Sequence, residues 1–343
     1  MRWSLLFLVV FASYSCTNND GAPDVSAIRV QVNLSRFDRD FFSIDSNRVH
    51  SEMDRLHAKY PQFTKLFLQY VLGLDSNTAS EGVRQFLRLN RPVYDSVQAV
   101  FPDADWLRRD FQKAFRYVKY YFPNYEIPDL VTVLGPIDAL AQTTGGSYTP
   151  NFLGPGFLAL SLQFYLGKDF SGYKSEYFIE NVAPLYRSRR FSREYMLPEA
   201  MQLIADDLFP DRSSGLPLIE QMIEKGKQWW LLDKFLPEVE DTLKTGYTKV
   251  QLDWCEKNEG LIWSYLVKNE DLRSLNPVII QTYVGEGPFT QGFPQEYSPG
   301  NIGPWIGRQI VRKFESKNAS MTPEELMRTS AATILEEARY KPR

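Results

Sequence analysis

Histidine is nearly missing from this chain: among 343 residues only His50 and His57 carry an imidazole. A serine nucleophile needs a histidine poised by a carboxylate, and no such triad can be assembled here. A Gly-x-Ser-x-Gly elbow and a phosphate-binding Walker loop are also lacking. Cysteine is equally scarce, with only Cys16 and Cys255. Once Cys16 is committed elsewhere, as argued below, no internal disulfide can form, and a chain of this length relies on its core for stability. Charge of one sign is lacking too: 39 basic against 42 acidic residues give a net charge of −3. Without a basic cluster there is no electrostatic footprint for nucleic acid. Finally, the longest leading apolar run, residues 3–12, is about half of the roughly 20 residues that a membrane-spanning helix requires.

What stands at the amino end is Arg2, that short apolar run, and small or polar residues ahead of Cys16. This is the layout of a bacterial lipoprotein signal, removed after acylation of a cysteine that becomes the first residue. Ser15 fits the pattern, whereas Ser13 stands where leucine is common and Tyr14 is bulkier than usual. We expect residues 1–15 to be a signal peptide and Cys16 to carry the lipid, with palmitate-class acyl chains fixing the chain to a membrane. The expected location is the cell envelope, with the domain facing periplasm or exterior. Thr17 in place of an aspartate favours the outer membrane. Residues 16–26, holding Asn18, Asn19, Asp20, Gly21 and Pro23, read as a polar tether.

Residues 27–343 read as a single α+β domain with an N-terminal helical subregion, mostly helical around a small sheet. Ile28, Val30, Val32 and Leu34 alternate with polar residues, the period of a half-buried strand. Helices are expected from about residue 45 to 60, over 64–72 and 78–89, and along the stripe Leu107, Phe111, Ala114, Phe115, Val118 and Phe122. Residues 130–134 and 157–166 read as strands. Helices resume over 196–209, 216–232 and 247–267. Thr322, Pro323 and Glu325 form a capping box for a last helix to about residue 339.

Few residues offer chemistry. His50, Asp54 and His57 share one helical face and could chelate zinc, but Arg48, Arg55 and Lys59 surround them, so the face reads as solvated. Asp206 and Asp207 read as the solvated end of a helix stopped by Pro210. Cys255 reads as a packed thiol, and Gly285 and Gly287, followed by Pro288, as a loop.

A resemblance adds to this. The segments Arg36-Phe37-Asp38-Arg39-Asp40-Phe41-Phe42, Leu56-His57-Ala58-Lys59-Tyr60-Pro61 and Lys119-Tyr120-Tyr121-Phe122-Pro123 resemble the gliding-motility-associated lipoprotein GldB family of Bacteroidota. So do Tyr165-Leu166-Gly167-Lys168-Asp169, Met222-Ile223-Glu224-Lys225-Gly226-Lys227 and Pro299-Gly300-Asn301-Ile302-Gly303-Pro304-Trp305-Ile306-Gly307. The family in turn is distantly similar to zinc proteases of the gluzincin kind, which implies a zincin-like, degenerate metalloprotease core. Laid over Pro198-Glu199-Ala200-Met201-Gln202, the zinc motif finds Pro198 and Gln202 in place of its two histidines, and Lys225 in place of the glutamate ligand. Neither proline nor lysine can serve a cation there. Glu199 reads more simply as a first-turn carboxylate after Pro198. The resemblance implies a non-catalytic envelope lipoprotein that supports gliding motility or the associated secretion machinery by binding other envelope proteins. It implies no catalytic residue, metal or cofactor, and a relic cleft around Glu199, Gln202, Lys225, Tyr148 and Phe152, with residues 289–297 as a further wall. Two alternatives are an envelope hydrolase with an unrecognised site and a surface ligand-binding lipoprotein.

Overall fold

The alternation at residues 28–34 is realised in burial more than in pairing. Val30 and Val32 are buried while Arg29, Gln31 and Asn33 face solvent, yet only Leu34–Ser35 (β1) joins a sheet. The Val30 carbonyl accepts from Gln112 Nε2 at 2.6 Å, so a side chain serves where a neighbouring strand would have. The structure is a computed structural model, and it describes residues 21–75, 77–142 and 148–342.

Among the described residues six helices precede the main strands: α1 (Phe37–Phe42), α2 (Val49–Lys59), α3 (Pro61–Leu66), α4 (Ala79–Leu89), α5 (Arg91–Val100) and α6 (Asp105–Tyr121). Pro61 both ends α2 and opens α3, because a residue preceding proline is pushed out of the helical region and proline itself suits the first turn. A π-helical turn, Phe67–Val71, continues α3. The predicted stripe of α6 is buried from Leu107 through Val118. Phe37 stands at the hub of an aromatic cluster, with ring centroids 4.8 Å from Phe63 and 5.0 Å from Phe67. Beside it, buried Asp38 accepts from Arg36 at 2.9 and 2.7 Å, from Gln98 at 3.1 Å and from Thr132 at 2.5 Å. The first of the family segments is thus one short helix clamped to the sheet.

The sheet is four-stranded. β2 (Asp129–Val133) lies parallel to β1 and to β6 (Phe157–Ser161), and β5 (Phe152–Gly154) closes the edge antiparallel to β6. All five β6 residues are buried, as expected of a strand covered on both faces. A separate pair joins β3 (Ala141–Gln142) and β4 (Tyr148–Thr149). The expected strand over 157–166 ends at Ser161, where a 3₁₀ turn takes over at Leu162–Phe164.

Among the described residues eleven helices follow: α7 (Glu176–Asn181), α8 (Leu185–Ser188), α9 (Arg193–Leu208), α10 (Leu218–Phe235), α11 (Asp241–Thr245), α12 (Lys249–Lys257), α13 (Glu259–Asn269), α14 (Pro277–Val284), α15 (Ile302–Lys317), α16 (Pro323–Arg328) and α17 (Ala331–Ala338). Two expected long helices are each broken in two. The stretch 247–267 breaks at Asn258, whose amide donates back to the Trp254 carbonyl at 2.8 Å. The last helix breaks at Thr329, which turns extended, and Ser330 caps a new one by accepting from the Thr333 N–H at 3.1 Å. The capping box of Thr322 and Glu325 forms as expected, with Pro323 at the first helical position.

The centre of the C-terminal half is the crossing of α10 and α15. A Cβ on Gly226 would stand 2.7 Å from Gly307 Cα, inside any tolerable contact, so the two backbones meet directly. Arg308, 1% exposed, is the next residue along α15. Its Nε donates to Asp233 at 2.8 Å and a terminal nitrogen donates to Asp241 at 2.9 Å, while Lys244 sits 2.8 Å from both carboxylates. The chain is therefore α+β, with helices laid against one small mixed sheet.

Candidate functional site

Helix α9 begins at Arg193, so Pro198 lies inside it and Glu199 projects from its middle, not from its first turn. This corrects the expectation drawn from Pro198. A proline within a helix forfeits one backbone hydrogen bond and is disfavoured there, yet Pro198 is buried in the packed interior. Glu199 Oε2 accepts from Tyr165 Oη at 2.9 Å, and Tyr165 Oη accepts from Asn151 Nδ2 at 2.7 Å. Asn151 immediately precedes β5, its side-chain oxygen takes the Ser161 N–H at 3.3 Å, and Tyr165 follows the turn after β6. The antiparallel sheet edge thereby sets the position of the carboxyl on α9. Burial pushes the Glu199 carboxyl above its ordinary value, against the downward pull of Arg190, Tyr165 and Arg187.

Those two arginines share Glu286. Arg187 reaches one of its oxygens at 2.5 Å and Arg190 the other at 3.0 Å. Burial works to raise the Glu286 carboxyl, but Arg190 and Arg187 outweigh it and hold it below the ordinary range. The Nε atoms of both arginines are buried without a hydrogen-bond partner. A cavity of about 40 Å³ bordered by Arg190, Glu286, Gly246 and Asn301 adjoins the cluster, room for a few water molecules. The arrangement can hold a proton between a phenol and a carboxyl, with a bound cationic pair alongside.

The other expected residues fall in three places. Gln202 and Lys225 meet at a second cluster one to two turns along α9. There Lys225 Nζ pairs with Asp211 at 2.5 Å and Gln202 donates to Asp206 at 3.4 Å. Asp206 does not belong to a solvated helix end: burial pushes its carboxyl up to about 6, against Gln202 and Lys225. Asp207 alone is exposed, accepting from Tyr125 Oη at 2.9 Å. Tyr148 is exposed; its carbonyl accepts from Arg187, whose guanidinium lies 5.9 Å from the Tyr148 ring. Phe152 turns to the aromatic core, where it stacks on Phe63 at 6.4 Å and meets Phe157 edge-on at 6.2 Å. His50 and Asp54 are both exposed, 4.0 Å apart, and His57 is exposed as well. Among the described residues no three His, Cys, Asp or Glu side chains gather as a metal site. Cys255 is fully buried, and burial raises its thiol far above the ordinary value. Cys16 lies outside the described residues.

Sequence reasoning missed Asn151, Tyr165, Arg187, Arg190 and Glu286. Tyr165 opens one of the family-like segments, which was the only available signal. The remainder meet through tertiary packing between residues as far apart as 187 and 286, which no local spacing encodes.

These features define first a class: an α+β chain in which the antiparallel edge of the mixed sheet holds Asn151 and Tyr165 in a hydrogen-bonded relay to the mid-helix carboxyl of Glu199. No helix among the described residues is long and apolar enough to cross a membrane. The family follows from comparison. The family model described as Gliding motility protein GldB matches residues 18–342, nearly the whole chain, and the chain belongs to that family. No curated protein and no solved structure matches it.

Proposed function

We propose that this protein is a non-catalytic envelope lipoprotein, anchored through lipid on Cys16 with the outer membrane favoured, which supports gliding motility or the associated secretion machinery by binding other envelope proteins. The observation that carries the reading is the family match over residues 18–342. The positions where a gluzincin would keep its zinc support the non-catalytic part, on the view that the core is a degenerate protease. Pro198 offers no ligand, Gln202 is turned to Asp206, and Lys225 places an ammonium paired with Asp211 where a cation would need a carboxylate.

Complementation tests it. In a strain lacking the protein, the native chain and Glu199→Gln should restore spreading and secretion equally, while Cys16→Ala should fail. Crosslinking in the same cells should capture envelope proteins. A folded, correctly located Glu199→Gln chain that fails to complement would refute the non-catalytic reading. One observation favours a hydrolase instead: Glu199 is a carboxyl with a raised pKa hydrogen-bonded to a buried tyrosine, the kind of perturbed group that catalytic sites use. Peptide and ester hydrolysis by the purified chain, lost in Glu199→Gln, would establish that alternative.

A further inference from the structure

A groove of about 650 Å³ opens between residues 22–26 and helix α6. Its α6 wall carries Arg109, Lys113 and Arg116, spaced i, i+4 and i+7, so the three cations share one helical face. Like charges at that spacing repel, and only part of the repulsion is relieved. Lys113 is paired with Glu238 across the groove, and Asp24 on the opposite wall accepts from the Ser26 N–H at 2.9 Å, which holds its carboxyl below the ordinary range as an anion. Exposed Asp110 lies near enough to Arg109 and Lys113 to feel both charges. Arg116 keeps a buried Nε with no hydrogen-bond partner. The groove is therefore an open site with donor capacity to spare, suited to an anionic oxygen cluster such as phosphate.

The chain itself says which phosphate is near. Ala22 and Pro23 form the groove's other wall, and from Cys16 to Ala22 the backbone spans at most roughly 20 Å at full extension. A lipid on Cys16 would keep this end of the domain within that distance of the headgroup layer. We propose that the groove is the membrane-apposed face of the domain and takes the phosphate of an anionic lipid headgroup between Arg109 and Arg116. The proposal rests on the lipid-anchor reading for the direction in which the tether leads.

The test separates the groove from the anchor by using the full mature-length chain with Cys16→Ser, which cannot be acylated. Its binding to phosphatidylcholine vesicles with and without phosphatidylglycerol is read by co-sedimentation at low ionic strength. Phosphatidylglycerol-dependent binding is expected, weakened about fivefold by each of Arg109→Gln and Arg116→Gln, the usual effect of one surface cation. Arg328→Gln on α16 should leave it unchanged. Arg109 is exposed, so that variant keeps the test readable even if Arg116→Gln does not fold. Binding indifferent to phosphatidylglycerol, or equal in all variants, overturns the proposal. So does an Arg109- and Arg116-dependent affinity for inorganic phosphate without any for vesicles, which would mark a free-phosphate site. Failure of the anchor reading shows separately, as an unmodified Cys16 in the native protein, and leaves the vesicle result standing.

Discussion

Replacing Gly226 with alanine drives a methyl group into a direct backbone-to-backbone contact. The new Cβ would stand 2.7 Å from Gly307 Cα, whereas carbon atoms rest at about 3.5–4.0 Å. Both partners are backbone within helices, so no side chain can rotate away, and because Gly307 C and Arg308 N lie closer still, the two axes must separate by more than about 1 Å. Over-packing of a core ordinarily costs about 1–3 kcal/mol, and a rigid backbone clash belongs at or above the upper end. Alanine returns about 1 kcal/mol through its better helix propensity. A net loss of about 2 kcal/mol or more is expected, enlarged if separation also shifts Arg308 from Asp233 and Asp241. Urea denaturation of the Gly226→Ala chain should show a lower midpoint with an unchanged slope. Gly307→Ala should behave alike, and the double variant should lose less than the sum, because one displacement relieves both clashes. A Gly226→Ala chain as stable as the parent would refute direct backbone contact at this crossing.

Three further outcomes are expected. Because burial lifts the Asp206 carboxyl from 3.8 to about 6, the folded chain binds more protons than the unfolded one in that window. Stability therefore falls as pH rises through it, and Asp206→Asn should gain about 3 kcal/mol at pH 7 and nothing below pH 4, read from thermal melts against pH. Arg308→Ala leaves Asp233 and Asp241 to Lys244 and Arg312 alone and should cost about 3 kcal/mol in denaturant unfolding, far more than an exposed charge such as Arg328. Thr322→Ala removes the cap of α16 and should cost about 1 kcal/mol, with amide exchange accelerating first at the N–H of Glu325.

Much of the fold was legible wherever local physics decides it. The apolar stripe of α6, the proline at the α2–α3 junction and the Thr322 capping box are all short-range signals, and each appears as read. Legibility failed where tertiary packing overrides them. Glu199 reads as a first-turn carboxylate after Pro198, but α9 begins five residues before that proline and carries it inside. Asp206 reads as solvated beside Asp207, yet one side of α9 is covered and the other is not. The segments around Gly226 and Gly307 were recognisable only as resemblance, and their physical sense is the helix crossing, which needs both at once. Of the site, Glu199 was singled out from the sequence, but the tyrosine, asparagine, arginines and glutamate that surround it come from four separate stretches of chain.

The proposed envelope anchoring depends on the covalent state of Cys16. Mass spectrometry of the amino-terminal peptide, taken from the membrane fraction of the native cells, should find a chain beginning at Cys16 and carrying acyl groups. A free Cys16 thiol, or a peptide that still includes residues 1–15, would contradict it.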